Sequence, residues 1–177
     1  MTNALPSNCA FDLTGRVALV TGAAGLLGKE HSIALAQIGA MVVMTDYDQA
    51  KVKMAADYVR SLTGGDIRAF AMDVTNVGAI RAVQTELQTK GLVVTRLVNN
   101  AAIDPKVDSD GDISSSRLEN FDEEQFMLEV QVGLTGAIQC ASVFGPAMAK
   151  IKDGVILNIA SDLSVFSPDQ RIYRKNG

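Results

Sequence analysis

The sequence has no tryptophan, one histidine and two cysteines in 177 residues. Cys9 and Cys140 lie far apart and form no C-x-x-C pattern. We therefore expect reduced thiols, although two cysteines could in principle pair. Residues 1–15 also lack the basic and apolar segments of a secretory signal. Together these absences predict a cytoplasmic protein.

Clustered charge of one sign is also missing. The formal net charge is −4, and no block of Lys and Arg occurs. Nucleic acids and anionic membranes are bound through such basic clusters, so we expect neither as a partner. We also expect no membrane span, since we find no apolar run of about 18 residues. At 47% hydrophobic and 20% charged, residues 1–177 have the composition of one globular domain.

Short apolar runs alternate with helical patterns along the chain. Alternation without hairpin signals predicts an α/β fold, a three-layer αβα Rossmann-type, doubly wound parallel sheet with helices on both faces. In the first helix, helical spacing is seen at Leu27, His31, Ala34, Leu35 and Ile38, and His31 is expected to be a packed or half-exposed helix residue. Strands are predicted at residues 16–22, 40–46, 67–73, 92–102 and 154–161, and helices at residues 23–40, 47–65, 76–91 and 121–151.

A glycine-rich turn joins the first strand to the first helix. Gly22, Gly25 and Gly28 follow a G-x-x-G-x-x-G pattern, and a pyrophosphate can approach a helix start closely only where no Cβ intervenes. Asp46 ends the second strand, near the usual offset for an acid that binds the adenosine ribose hydroxyls. Because a carboxylate there accepts bonds from a diol and repels a 2′-phosphate, the pattern predicts NAD rather than NADP. Alternatively, Asp46 only caps the helix that begins near Asp48.

Four segments resemble the short-chain dehydrogenase/reductase family: TGAAGLLG (residues 21–28), DVTN (73–76), LVNNAA (97–102) and GVILNIAS (154–161). The resemblance implies hydride transfer between a nicotinamide and an alcohol or ketone, with a sugar or polyol as our expected substrate. The glycine spacing is that of the extended branch, the sugar-nucleotide epimerases and dehydratases. The paired asparagines are typical of the classical branch, which we favour. The implied cofactor-binding residues are Gly22, Ala24, Gly25, Leu26, Leu27, Gly28, Asp46, Asp73, Val74, Asn99, Asn100, Ala101, Ala102 and Ile159.

The resemblance also implies catalytic residues. Ser161 corresponds to the serine that orients the substrate oxygen, while the family's tyrosine transfers the proton beside a lysine four residues later. Tyr173 lies near the expected position, but residue 177 is Gly, and Lys175 would lie on another side of a helix. We therefore expect Tyr173 to be a loop residue and the Tyr-x-x-x-Lys helix to lie beyond residue 177. Gly133 stands where the family usually has an asparagine; a glycine could permit the same helix distortion without that side chain's contacts.

Several interpretations stay open. The chain could be the NAD-binding portion of a longer dehydrogenase, a non-catalytic NAD-binding module or an extended-branch epimerase. By resemblance we expect a homodimer or homotetramer, joined partly through residues 122–150, and exposed apolar surface there and along the fifth strand. Residues 108–119 place four acids at the positions of a calcium loop, but Ile113 stands where that loop needs glycine. We expect a solvated acidic loop there and no metal site.

Overall fold

The structure, a computed structural model, describes residues 11–103, 118–166 and 169. The described strands are all parallel and lie in the order β3-β2-β1-β4-β5, which confirms the α/β fold expected from the sequence. Each predicted strand and helix is present, with ends that differ by a few residues. The elements are β1 (Val17–Thr21), α1 (Leu26–Gln37), β2 (Met41–Asp46), α2 (Gln49–Thr63), β3 (Ile67–Ala71), α3 (Val77–Thr89), β4 (Val94–Asn99), α4 (Glu123–Val130), α5 (Gly136–Ile151) and β5 (Val155–Asn158).

The strand order places the sequence motifs at one edge of the sheet. β1 lies between β2 and β4, with Thr21 opposite Thr45. Asn99 of β4 lies opposite Asn158 of β5. β2 and β4 lie on opposite sides of β1, so the connections that follow β1 and β4 diverge. A crevice therefore opens at the carboxyl ends of these strands, where ligands bind in such sheets.

Two apolar layers hold the helices against the sheet. Successive strand residues point to opposite faces, so both faces of the central strands are covered, which explains their unbroken apolar runs. On one face, α1 and α2 pack against Ala18, Val20, Val42 and Met44. On the other face, α3 and α5 pack against Leu19, Val43 and Leu97.

Polar side chains start three of the helices. Asp48, Asn76 and Asp122 accept hydrogen bonds from the first-turn N–H groups of α2, α3 and α4. Such N-caps satisfy donors that have no partner inside the helix. Asp48, and not Asp46, is therefore the cap of α2, so the alternative role considered for Asp46 is wrong.

The residues at helical spacing in α1 form only part of its buried side, where Leu35 packs against the core. Gly28 and Ser32 are its fully buried residues, whereas Leu27 is 55% exposed and Ala34 is exposed. The Ser32 hydroxyl donates to the Gly28 carbonyl at 2.7 Å, which satisfies the buried side chain inside the helix. Small residues form the contact where α1 approaches the loop after β1, while Ile33, Leu35 and Ala36 pack against the sheet, and apolar spacing alone does not reveal the small contacts. His31 is partly buried, as expected.

α4, a π-helical turn (Gln131–Thr135) and α5 form one helical segment, Glu123–Ile151. Residues 130–149 carry no charged side chain, and by length and composition the segment could cross a membrane. The expected absence of a membrane span rested on the lack of an unbroken apolar run of about 18 residues, and it stays a prediction. α5 nevertheless belongs to the sheet's helical layer, because Cys140, Phe144 and Met148 lie in the core beneath it. A core helix passes the same test.

β5 forms an edge of the sheet. Residues 155–157 are 56%, 39% and 51% exposed, so the expected apolar surface along this strand is confirmed. Just before β5, Asp153 pairs with Arg16 and with Arg96, both at 2.8 Å. The hydrogen bond from Arg96 is the largest cause that lowers the pKa of Asp153. These pairs tie the amino end of β5 to β1 and β4.

Candidate cofactor site at the carboxyl edge of the sheet

The loop after β1 needs glycine at two positions for different reasons. Gly22 has φ +61°, in the left-handed region, and a Cβ there would lie 2.8 Å from the Ala101 Cα. Gly28 lies in the first turn of α1, where a Cβ would lie 2.6 Å from the Ala23 Cα. At Gly25, by contrast, the one contact that a Cβ would make within 4 Å in the described part of the chain is with the Gly22 carbonyl oxygen, at 3.3 Å. The first and third glycines therefore let strand, loop and helix approach closely.

α1 begins differently from α2, α3 and α4. Its N-cap is Gly25, no side chain accepts a hydrogen bond there, and its first turn has no acidic residue. Leu26 and Leu27, which start the helix, are 77% and 55% exposed, so this end faces the crevice and solvent. The N–H groups that a side chain caps in the other three helices can here bind an anion such as a pyrophosphate.

Asp46 faces this loop from the end of β2 and is 8% exposed. Its Oδ2 accepts the Ala24 N–H at 3.1 Å, and its Oδ1 accepts the Asp48 N–H at 3.3 Å. The neighbouring loop residue is held in the same way, since the Ala23 N–H donates to the Thr45 carbonyl at 2.9 Å. The carboxylate thus lies beside the helix start, as the sequence pattern indicated.

Thr21 and Asn100 join the loops that follow β1 and β4. The Thr21 Oγ1 accepts the N–H groups of Asn100 and Ala101, both at 3.0 Å. The Asn100 Nδ2 donates to the carbonyls of Thr21 at 2.9 Å and Gly22 at 3.2 Å. These bonds fix the two loops side by side at the floor of the crevice, while Ala102 is exposed.

Asn99, the last residue of β4, is 7% exposed and lies beside β5 and the start of α5. Its Nδ2 donates to the Asn158 Oδ1 at 2.8 Å and to the Ala137 carbonyl at 3.4 Å. The Ile159 N–H continues the strand pairing by donating to the Asn99 carbonyl at 2.9 Å. The Asn99 side chain therefore holds three elements together, and Ile159, at 37% exposed, lies where β5 ends.

Asp73 and Val74, which follow β3, lie in different surroundings. Asp73 is exposed, and its Oδ1 accepts the N–H and the hydroxyl of Thr75 at 2.8 and 2.7 Å. Val74 is 6% exposed and belongs to the core beneath α5. α5 starts directly against it, since a Cβ at Gly136 would lie 2.8 Å from the Val74 Cγ2. A ligand can therefore reach the Asp73 side chain, whereas the Val74 side chain is covered by α5.

Ser161 lies three residues after the end of β5, at the same edge as the glycine loop, and is exposed. Its Oγ accepts the Leu163 N–H at 3.1 Å and donates to the Asp162 Oδ1 at 3.3 Å. Ser161 thereby caps a short 3-10 turn, Asp162–Ser164. Tyr173 and Lys175 lie outside the described residues, as does the acidic stretch up to residue 117.

Gly133 lies in the π-helical turn between α4 and α5. There the Gly136 N–H donates to the Gln131 carbonyl, five residues back instead of four. A Cβ at Gly133 would meet no atom of the described residues within 4 Å. The helix is therefore distorted at this position without the asparagine that the family usually has, as the sequence analysis allowed.

Two residues that join the site's elements, Thr21 and Asn158, were not predicted from the sequence. Each is a polar residue at the end of an otherwise apolar strand, and that is the signal that could have identified them. The close contact at Gly136 was not predicted either, and its signal was a glycine within a helical pattern.

A comparison with known protein families gives a match over most of the chain. The family model described as short chain dehydrogenase matches residues 16–173. Galactitol 2-dehydrogenase from Rhizobium johnstonii is 31% identical over 151 residues, which cover 85% of this chain and 55% of that protein.

Solved structures share the same fold. An NAD⁺-bound xylitol dehydrogenase matches with a TM-score of 0.76 and 25% identity, over 93% of this chain and 59% of that one. A gluconate 5-dehydrogenase from Burkholderia cenocepacia, in complex with NADP and tartrate, matches with a TM-score of 0.76 and 27% identity, over 89% and 58%. This chain thus spans between 55% and 59% of the length of these three relatives.

Proposed function

The chain belongs to the short-chain dehydrogenase family, and on this premise we propose that the carboxyl edge of its sheet binds a nicotinamide dinucleotide for hydride transfer at an alcohol or ketone. The observation that carries the proposal is the start of α1. It is the one helix start among α1 to α4 without a side-chain cap, and it lies beside a nearly buried carboxylate. An anion site beside a diol acceptor fits the pyrophosphate and adenosine ribose of such a cofactor.

NAD is the cofactor we propose over NADP. Asp46 lies directly beside the loop that would hold the pyrophosphate, and a 2′-phosphate bound there would meet its carboxylate. Lys51 lies nearby on α2, but its ammonium already pairs with Asp48 at 3.4 Å. The relatives do not decide the choice, since one named structure contains NAD⁺ and another contains NADP. Calorimetric titration with each cofactor tests it, with tighter binding of NAD as the expected result.

Ser161 is the chain's proposed catalytic residue. A bound nicotinamide supplies the hydride acceptor for alcohol oxidation and, when reduced, the donor for ketone reduction. The exposed Ser161 hydroxyl can donate to the substrate oxygen, and such a bond strengthens as negative charge develops there. To do so it must turn away from Asp162, 3.3 Å away. The tyrosine and lysine beyond residue 177 stay a prediction, which reading the coding sequence past codon 177 tests.

We propose a sugar alcohol or other polyol as the substrate class. The support is the naming of relatives as galactitol and xylitol dehydrogenases. We further propose a cytoplasmic homodimer or homotetramer that pairs through α4 and α5. Along this segment Phe126, Leu134 and Ile138 are 48%, 60% and 60% exposed, which is apolar surface that a second copy would cover.

The activity test uses protein expressed from the complete coding sequence. We expect NAD-dependent oxidation of a polyol, and we expect Ser161→Ala to lower kcat about 100- to 1,000-fold, the usual effect of losing one such donor. Ser61→Ala is the matched control, because that exposed hydroxyl donates to the Tyr58 carbonyl on α2, away from the crevice and from the proposed α4–α5 contact. An unchanged kcat in Ser161→Ala would remove the serine from the mechanism.

Cofactor binding distinguishes the alternatives. Failure to bind either NAD or NADP would overturn the proposed function itself. Binding of NAD without oxidation or reduction of any polyol or ketone would favour the non-catalytic module. Release of free NADH in proportion to substrate consumed would count against an epimerase, which uses the cofactor transiently.

A further inference from the structure

The Asp46 carboxylate accepts two hydrogen bonds from the protein's own backbone. A residue that only binds the ribose would not need them. Its Oδ2 accepts the Ala24 N–H of the glycine loop, and its Oδ1 accepts the Asp48 N–H at the entry of α2. We propose that Asp46 is a positioning residue that fixes the phosphate loop in its binding conformation, in addition to any contact with the ribose. This inference rests on the proposed function for the cofactor, although its structural part can be tested without one.

Other hydrogen bonds hold the loop on either side of Ala24. Ala23 is held by the Thr45 carbonyl, and Gly25 donates to the Gly22 carbonyl at 3.1 Å, which closes a turn within the loop. Between them, the Ala24 N–H donates to the Asp46 side chain. No side chain caps the helix that follows. The carboxylate is therefore the contact that orients the peptide group next to the helix start.

The burial of Asp46 strengthens this bond. The residue is 8% exposed, so water competes little for the Ala24 N–H, and hydrogen bonds to an ionised acceptor are stronger than neutral ones. The Asp46 main chain is fixed as well, because its carbonyl accepts the Met72 N–H at 2.8 Å. The carboxylate is thus held by the sheet on one side and holds the loop on the other.

A consequence concerns engineered cofactor preference. Replacing Asp46 by a small residue removes the repulsion of a 2′-phosphate, and it also releases Ala24. Because both cofactors place their pyrophosphate on this loop, we expect Asp46→Ala to weaken the pyrophosphate contact of NAD and of NADP. The substitution should therefore not simply convert an NAD-preferring protein into an NADP-preferring one. The loss should appear in KM for the cofactor while kcat stays close to that of the wild type, since the nicotinamide end is unaltered.

The first test measures how tightly the wild type and the variants bind a cofactor analogue whose adenosine ribose cannot hydrogen-bond to Asp46. The probe is 2′,3′-dideoxy-NAD, in which the adenosine ribose has neither hydroxyl group. If Asp46 acts only on the ribose, Asp46→Ala binds this probe as tightly as the wild type does. If Asp46 also fixes the loop, the variant binds it about tenfold more weakly, the usual effect of one lost hydrogen bond to a charged group.

Two further variants separate positioning from general damage. Asp46→Asn keeps the size and one acceptor oxygen, so it should recover most of the affinity for the dideoxy probe. Asp48→Ala removes the cap of α2 but leaves the backbone N–H that Asp46 accepts, so it should bind the probe like the wild type. A loss in Asp48→Ala as large as that in Asp46→Ala would overturn the proposal, because the effect would then come from α2.

The second test needs no cofactor. In amide hydrogen exchange, Asp46→Ala should exchange the Ala24 N–H about tenfold faster than the wild type does. The Ala23 N–H, bonded to a main-chain carbonyl, should keep its rate. Unchanged exchange at Ala24 would refute the positioning role whatever the cofactor result. If exchange changes as expected but no nicotinamide cofactor binds to the wild type, the proposed function fails while the loop contact stands.

Discussion

Gly28→Ala should destabilise the protein even though it places a better helix former in α1. Alanine is favoured over glycine inside a helix by about 1 kcal/mol. Here, however, the new Cβ would lie 2.6 Å from the Ala23 Cα and 3.1 Å from its carbonyl carbon. Both are backbone atoms and cannot rotate away, so the overpacking cost belongs at the upper end of the usual range, about 3 kcal/mol. The expected net change in unfolding free energy is a loss of about 2 kcal/mol.

Urea unfolding measures this loss. With a slope of about 2 kcal/mol per molar urea, the transition midpoint should fall by about 1 M. Gly133→Ala is the matched control, because it is exposed and its Cβ would have no neighbour within 4 Å among the described residues. That control should lose no stability. If Gly28→Ala proves as stable as Gly133→Ala, the close approach of helix to loop is not what requires glycine.

Three further outcomes are expected. Gly136→Ala should lower the urea midpoint by less than Gly28→Ala, since its Cβ would meet the Val74 side chain, which can shift; an equal loss would contradict this. Because its arginine partners hold the pKa of Asp153 below its ordinary value, the ion pairs stabilise the fold above the ordinary carboxyl pKa and stop doing so as the pH falls through the lowered one. The stability difference between the wild type and Asp153→Asn should therefore shrink in strong acid, and a difference independent of pH would refute it. Burial raises the pKa of Cys140 to about 12, so mass spectrometry should find it unmodified by iodoacetamide at pH 8 until urea unfolds the protein, and rapid native labelling would contradict its buried position.

The fold could be predicted from the sequence because its signals are local. Strands that are buried on both faces appear as unbroken apolar runs, and the helices between them have caps or glycine stops at their ends. The glycine loop and Asp46 were recognisable for a similar reason. A strand, a turn and a helix that follow one another in the chain must also be neighbours in space, so their motif can be read along the sequence.

The roles of single residues were harder to assign because they depend on partners far away in the chain. Thr21 bonds to the segment after β4, and Asn99 meets Asn158, 59 residues later. No local pattern specifies such pairs. The burial of Gly28 and Ser32 in α1 has the same origin, since the distance between the helix and the neighbouring loop decides whether a small residue forms the contact.

The sequence by itself determined the class of fold, the position of the phosphate loop and the acid beside it, because periodicity and glycine spacing act over a few neighbouring residues. The tertiary structure alone decided that Asp46 holds Ala24, that Val74 is buried against α5 and that the helix around Gly133 takes a π-helical turn. These outcomes depend on how closely separate elements pack, and that closeness is set by the shapes of many side chains together.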